Sequence, residues 1–85
     1  MTRESVSALG TRRFRAAAEQ AYAWAAYSTA LQAAALRRVT DPDRDLAVRS
    51  AGAYYRQAQS QFEAARTEHE AALDAAQPPR GLRAA

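Results

Sequence analysis

The feature that most constrains this chain is a heptad pattern in its second half. Nine positions there follow an unbroken alternation of three-residue and four-residue spacings: Val48, Ala51, Tyr55, Ala58, Phe62, Ala65, His69, Ala72 and Ala76. Every second member is alanine, and most of the members between are large. This pattern predicts one long helix whose partner packs close against the alanines.

A second long helix precedes this one. Residues 12–38 contain neither Pro nor Gly, and the sequence Thr40-Asp41-Pro42-Asp43 then interrupts the helical composition. Asp41 is a good helix N-cap, and Pro42 suits the first position of a new helix. We predict an all-α fold, an antiparallel two-helix hairpin that forms an alanine-rich coiled coil. The alternative is a single kinked helix that passes through Pro42 within an extended coiled coil.

The predicted hairpin spans residues 11–77, with helix 1 at about 11–39, the turn at about 40–41 and helix 2 at about 42–76. Residues 1–10 are predicted to form a polar N-terminal arm, because Gly10 weakens a helix at that point. Pro78 and Pro79 end helix 2, since a residue that precedes proline avoids helical angles. Residues 78–85 are predicted to be a flexible tail.

Folding the chain at Thr40 places large side chains of one helix opposite small side chains of the other. Phe62 then faces Ala21, and Trp24 faces Ala58, an alternation that lets two helices interdigitate. The predicted intrahairpin core is Phe14, Ala21, Trp24, Leu31, Val48, Ala51, Tyr55, Ala58, Phe62 and Ala65. The same fold places Arg13 opposite Glu70 and Arg15 opposite Glu68.

Helix 1 also has an uncharged stretch on all its faces, residues 20–36. A helix without charge all round is normally covered on more than one side, and helix 2 alone covers only one. A transmembrane span is the competing explanation, but seventeen residues that include Gln20 and Thr29 are too short and too polar. We therefore predict that two hairpins dimerise into a four-helix bundle. The predicted intermolecular face is Tyr22, Tyr27, Thr29, Ala33 and Leu36.

Residues suited to catalysis or to metal binding are few. The chain has no cysteine, and its single histidine, His69, has no second metal ligand three or four residues away. Gly10, Gly52 and Gly81 are isolated, so no glycine-rich phosphate loop is present. We predict no catalytic residue, cofactor or metal, and therefore no enzyme. His69 is expected at the edge of the core, with a pH-sensitive seam as the alternative.

The charged residues allow two functional hypotheses. The net charge is +3, and all twelve basic residues are arginines. The first hypothesis is a non-catalytic interaction or assembly subunit whose partner is itself or another helical protein. The alternative is a nucleic-acid-associated accessory protein that uses the arginines at one end of the hairpin, although acidic residues at that end reduce their excess charge. Those arginines are Arg3, Arg12, Arg13, Arg80 and Arg83.

The predicted hairpin is similar in architecture to the small secreted helical-hairpin proteins of actinobacteria. Those proteins carry Trp-x-Gly at the turn, whereas here Trp24 lies within helix 1 and the turn contains Asp41 and Pro42. Their Tyr-x-x-x-Asp/Glu export pattern is absent as well, so the sequence does not place the chain among them. No leucine-rich secretory signal is present. We expect a cytoplasmic protein or a phage- or plasmid-encoded assembly component, with secretion without a signal peptide left open.

Overall fold

A computed structural model of the chain describes residues 5–77, which form two long helices packed side by side. Helix α1 spans Val6–Leu36 and helix α2 spans Leu46–Ala76, with a short 3-10 turn at Pro42–Arg44 between them. The two long helices contact each other directly, which confirms the predicted helical hairpin and excludes a single helix through Pro42. They run antiparallel, since Arg12 meets Glu68 at one end and Arg37 meets Asp45 at the other.

Helix α1 begins five residues earlier than the sequence predicts, at Val6. Ser5 is its N-cap, and the Ser5 hydroxyl accepts a hydrogen bond from the backbone N–H of Ala8 at 3.1 Å. This cap stabilises the first turn, and Gly10 is accommodated inside the helix. Residues 6–10 therefore belong to α1 and not to an N-terminal arm. Residues 1–4 and the predicted tail at 78–85 lie outside the described residues.

The end of α1 is set by Arg38, which has a left-handed backbone conformation with φ of 58°. The following residue, Val39, donates its N–H to the carbonyl of Ala34 at 3.0 Å, a closure that satisfies a free carbonyl at the helix end. Glycine is the usual residue at such a position. The left-handed step at Arg38 therefore ends the helix three residues before the predicted boundary at residue 39.

Helix α2 begins at Leu46 because Asp45, and not Asp41, is its N-cap. The Asp45 carboxylate accepts a hydrogen bond from the N–H of Val48 at 3.1 Å. Asp41 caps the preceding 3-10 turn instead, with Pro42 at the first position of that turn. The connection therefore occupies residues 37–45 instead of the predicted 40–41.

The interior of the hairpin is built mainly from alanine. Among residues 5–77, the buried hydrophobic side chains are Ala23, Ala34, Val48, Ala58 and Ala65, and no large side chain is fully buried. Small residues let two helix backbones approach closely, but they bury little apolar area. The larger side chains, among them Tyr55 and Phe62, are half-buried along the edges of the contact. A pair of helices with so thin a core is marginal on its own.

On α2, the heptad positions from Val48 to Ala72 face α1, Gly52 is buried beside them, and Ala76 is exposed. Val48, Ala58 and Ala65 are buried, and Ala51, Tyr55 and Phe62 are half-buried.

On α1, the predicted core requires a correction. Phe14 is 75% exposed, Trp24 is 52% exposed and Ala21 is also exposed, while Leu31 is half-buried. The positions that meet α2 lie one residue earlier along the chain, at Arg13, Gln20, Ala23, Tyr27, Ala30 and Ala34. One residue rotates a helix by about 100°, so the large side chains move from the centre of the contact to its edge.

Candidate interaction surface

An aromatic cluster forms at one edge of the contact between α1 and α2. The ring centroids of Trp24 and Tyr55 lie 5.3 Å apart, and those of Tyr27 and Tyr55 lie 6.0 Å apart in a stacked arrangement. Trp24 meets Tyr27 edge to face at 6.1 Å. Such pairs stabilise a contact beyond the area they bury. The cluster fixes the relative rotation of the two helices near the middle of the hairpin.

Tyr27 belongs to this cluster and is half-buried, which corrects its predicted place on the intermolecular face. Its ring lies beside Gly52, where an added Cβ would come within 3.3 Å of Tyr27 Cε1. Because Gly52 has no side chain, the tyrosine ring can lie directly against the backbone of α2.

The other four residues predicted at the intermolecular face remain on the outer surface of α1. Tyr22 is 74% exposed and Leu36 is 85% exposed, and Thr29 and Ala33 are exposed as well. Tyr22, Thr29 and Leu36 are spaced by seven residues, so they form one stripe along the helix. We call this surface the uncharged face; its members are Tyr22, Ala26, Thr29, Ala33 and Leu36.

Two contacts between the helices show which part of α2 lies beside the uncharged face. Arg12 Nη1 lies 3.1 Å from Glu68 Oε2, and the Tyr54 hydroxyl donates a hydrogen bond to Glu19. Arg12 and Glu19 are seven residues apart, and Ala26 continues the same stripe towards the turn. On α2 the matching stripe includes Tyr54 and Ala47. The turn-proximal half of this side of the hairpin is therefore free of charge on both helices.

The opposite side of the hairpin combines apolar residues from α1 with charged residues from α2. There Arg13 Nη2 lies 3.6 Å from Glu70 Oε1, and Glu70 belongs to a stripe in which every seventh residue is charged. The stripe is Arg49, Arg56, Glu63 and Glu70. Beside it, Trp24 lines an open groove of about 350 Å³ together with Ala17, Gln20, Ala21 and Tyr55.

The hydrogen bond between Tyr54 and Glu19 has an electrostatic consequence. By stabilising the protonated phenol, the bond to the Glu19 carboxylate raises the pKa of Tyr54 above its ordinary value of 10.0. Desolvation and the negative charge of Glu19 act in the same direction. The contact joins the two helices at the border of the uncharged face.

Charged residues at the two ends of the uncharged face differ in whether they have partners. Arg37 forms an ion pair with Asp45 at 3.1 Å, and Arg44 forms one with Asp41 at 3.3 Å. By contrast, the side chains of Arg15, Arg38 and Asp43 form no hydrogen bond or ion pair within residues 5–77. These three charges are available to another molecule.

The arginine patch proposed for nucleic acid is partly neutralised within the hairpin. Arg12 pairs with Glu68, taking the place predicted for Arg15, and Arg13 pairs with Glu70 as the predicted alignment required. The other predicted contacts, Arg3, Arg80 and Arg83, lie outside the described residues. The two arginines that can be placed are therefore held by carboxylates, which weakens the case for phosphate binding.

The surroundings of His69 contain no set of metal ligands. His69 is half-buried, its Nδ1 atom lies 3.4 Å from a nitrogen of Arg13, and its ring packs against Gly10. Among residues 5–77, no group of three or more histidine, aspartate or glutamate side chains could hold a metal ion.

Neither α1 nor α2 contains a stretch long and apolar enough to cross a membrane. The sequence matches no protein-family model, and neither a curated protein nor a solved structure is significantly similar to it.

Proposed function

We propose that this chain is a non-catalytic interaction protein, an assembly subunit or adaptor that joins another helical protein through the uncharged face of α1. One observation carries the proposal. The large apolar side chains Phe14, Tyr22 and Leu36 are 74–85% exposed, while the buried hydrophobic residues among 5–77 are four alanines and one valine. Apolar side chains exposed together on one helix are typical of a protein interaction site.

The composition of the uncharged face also supports this function. The centres of protein interfaces are depleted in charged residues and enriched in aromatic residues such as tyrosine. Ala26 and Ala33 present no long side chain, so a partner helix can approach the backbone of α1 closely. Tyr22 and Leu36 then provide larger apolar contacts on either side. A partner would bury the surface that α2 leaves uncovered, which would compensate for the thin core of the hairpin.

The test places a charge in the middle of the uncharged face. We expect Ala33→Arg to lose association, because an unpaired arginine would have to be buried in the complex at a cost of several kcal/mol. Molar mass from multi-angle light scattering, measured over a hundredfold concentration range, reports self-association. Where the parent is monomeric, a pull-down with each variant as bait reports association with other proteins.

Ala71→Arg is the matched control, since Ala71 is exposed on α2 away from the uncharged face. It introduces the same side chain into a helix of the same length. We expect this variant to behave like the parent in mass, in thermal midpoint and as a bait. If Ala33→Arg also keeps the molar mass, the thermal midpoint and the bound proteins of the parent, the proposed function is wrong.

A further inference from the structure

We propose that this chain forms a dimer through the side of the hairpin opposite the uncharged face, with α2 of one copy packed antiparallel against α2 of a second copy. The inference goes beyond the proposed function, because it concerns a different surface. Its support is the charged stripe of α2 and the groove that Trp24 lines beside it. The charged stripe consists of Arg49, Arg56, Glu63 and Glu70.

The charged stripe changes sign at its middle. Its two arginines lie nearer the turn, its two glutamates lie nearer the open end of the hairpin, and all four belong to the continuous helix α2. With a twofold axis at the midpoint between Arg56 and Glu63, these two residues face each other in an antiparallel pair. Arg49 and Glu70 are each seven residues farther out, so they face each other as well. A parallel pair would place each charge against its own copy, so the stripe favours the antiparallel pair.

The side chains of the charged stripe are exposed on the single hairpin. Those of Arg49, Arg56 and Glu63 form no hydrogen bond or ion pair within residues 5–77. Glu70 Oε1 lies 3.6 Å from Arg13 Nη2, but the Glu70 side chain is still 57% exposed. A carboxylate has two acceptor oxygens, so Glu70 can also accept a guanidinium from the second copy. Each contact occurs twice, as twofold symmetry requires.

Exposed apolar residues of α2 agree with the same register. Leu46 and Leu73 are 77% and 37% exposed. Each lies three residues beyond one end of the charged stripe, so an antiparallel pair brings Leu46 of one copy to the level of Leu73 of the other. Arg66, between the two glutamates, lies opposite Ala53 in this register, so no like charge meets it.

The axis passes α1 near Gln20. The ion pair of Arg12 with Glu68, at 3.1 Å, shows which residues of the two antiparallel helices lie at one level. Eight residues along each helix from this pair, towards the turn, lie Gln20 on α1 and Ser60 on α2. Ser60 adjoins the midpoint of the charged stripe, so Gln20 lies at the level of the axis.

The groove beside Trp24 is centred at this level, since Gln20 and Ala21 lie in the middle of its α1 lining. Trp24 and Ala17 lie equally far on either side of that centre, so the axis brings Trp24 of one copy opposite Ala17 of the other. Trp24 is 52% exposed, and the small side chain of Ala17 leaves space for an indole ring. Large side chains that meet small ones let helices pack without voids. The second copy would therefore cover the groove together with the charged stripe.

A charge exchange tests the dimer and its register. We expect Arg56→Glu and Glu63→Arg each to raise the dimer dissociation constant about tenfold, because each replaces two attractive contacts by two repulsive ones. Sedimentation equilibrium at low salt measures the constants. Arg15→Glu is the matched control, since Arg15 is exposed and lines a groove with Glu68 on the other side of the hairpin. Its dissociation constant should stay within about twofold of the parent value.

Mixing the two variants restores both contacts. The glutamate introduced at position 56 of one chain then faces the arginine introduced at position 63 of the other, and the native Glu63 of the first faces the native Arg56 of the second. We expect a heterodimer with about the affinity of the parent dimer. The double variant, which carries both substitutions, should recover in the same way. Circular dichroism checks that each single variant keeps the helix content of the parent.

Cysteine crosslinking gives a measurement that does not depend on charge, because the parent contains no cysteine. Gln59 lies three residues after Arg56 and four before Glu63, so it shares their side of α2 and adjoins the axis. Gln59→Cys should form a disulfide between copies. Gln61→Cys is the control, since Gln61 lines the groove on the other side of the hairpin, and it should stay unlinked. A linked dimer of Gln61→Cys without one of Gln59→Cys would contradict the inference.

Two further results would overturn the dimer. One is a parent that stays monomeric at every concentration, and the other is a dimer whose affinity neither Arg56→Glu nor Glu63→Arg lowers. The proposed function is tested separately, because Ala33→Arg lies on the other side of the hairpin and keeps this dimer. A pull-down with the dimer as bait reads its effect on proteins bound at the uncharged face. If Ala33→Arg keeps those proteins while Arg56→Glu loses the dimer, the proposed function fails and this inference stands.

Discussion

The two helices of this hairpin have the same length of 31 residues but differ in how they divide their surface. Helix α2 turns its apolar heptad towards α1 and carries charge on its outer surface, as at Arg49, Arg56 and Glu63. Helix α1 has no charged residue between Glu19 and Arg37, so its outer surface there is as free of charge as a protein interior. Helix α2 therefore directs most of its large apolar residues towards α1, with Leu46 at its start as an exposed exception, whereas α1 leaves an uncharged surface uncovered.

The same difference is seen in the large side chains. On α2, Tyr55 and Phe62 lie against α1 and are half-buried. On α1, Phe14 and Tyr22 point away from α2 and are 75% and 74% exposed. Aromatic side chains bury a large area when they are covered. Tyr55 and Phe62 of α2 therefore stabilise the hairpin, whereas Phe14 and Tyr22 of α1 contribute little to it.

The strongest test of this contrast compares one phenylalanine from each helix. We expect Phe62→Ala to lower the free energy of unfolding by about 2 kcal/mol, less than the full cost for a buried phenylalanine because Phe62 is half-buried. Phe14→Ala should change it by less than about 0.5 kcal/mol, as is usual at exposed positions. Urea denaturation of both variants at one protein concentration measures the two values.

The assignment of the two phenylalanines would be contradicted by equal losses of stability. A larger loss for Phe14→Ala would mean that Phe14 is covered in solution. If that loss grows with protein concentration, the cover is a second chain, because association stabilises a fold by mass action.

The sequence predicted the inner face of α2 because charge elsewhere on that helix leaves a single apolar stripe. It did not predict the inner face of α1, since residues 20–36 offer several stripes of similar apolarity. The stripe of large residues, which includes Phe14 and Trp24, was a reasonable choice on volume. The helices instead meet at Ala23 and Ala34, because alanines permit the closest approach of two backbones.

The positions of the helix ends were also predicted only in part from the sequence. Asp41 and Pro42 are good helix-starting residues, and the structure uses them for a 3-10 turn because a second cap, Asp45, follows. Arginine does not favour a left-handed backbone, so the sequence does not indicate that α1 ends at Arg38. For the intermolecular face, the sequence placed Tyr22, Thr29, Ala33 and Leu36 on one surface. It misplaced Tyr27, whose position depends on the rotation of α1.

Each long helix contains one glycine, Gly10 in α1 and Gly52 in α2, and we expect their replacement by alanine to change stability differently. Alanine is favoured over glycine within a helix by about 1 kcal/mol. At Gly52 the new Cβ would lie 3.3 Å from Tyr27 Cε1, and Tyr27 borders an open groove of about 570 Å³ into which its ring can shift. We therefore expect Gly52→Ala to stabilise the hairpin by about 0.5 kcal/mol, retaining part of the helix propensity gain.

Gly10→Ala should show no such gain, although Gly10 also lies within a helix. Its Cβ would come within 3.1 Å of His69 Nε2, and the other ring nitrogen of His69 faces Arg13. Moving the ring would disturb that contact. Thermal unfolding of the two variants, followed by circular dichroism, measures the difference. A destabilised Gly52→Ala would mean that Tyr27 is held rigidly by Tyr55 and Trp24.

The smallest expected effect concerns the contact of Tyr54 with Glu19, where the charged end of α1 meets the uncharged part of α2. Because the pKa of Tyr54 is raised in the folded chain, the contact contributes stability at pH values below the pKa of an unfolded tyrosine, about 10. This contribution is lost as the pH rises through the folded-state pKa, since the ionised phenol repels the Glu19 carboxylate.

Tyr54→Phe removes the hydroxyl and with it this dependence on pH. We expect the parent to be slightly more stable than the variant near neutral pH, and the difference to shrink as the pH rises above about 10. Urea denaturation of both proteins at several pH values measures the difference, in which the titration of the other tyrosines cancels. A difference that is constant across this range would mean that the Tyr54 hydroxyl faces water in solution. The border between the two helices would then be held by Arg12 and Glu68 without it.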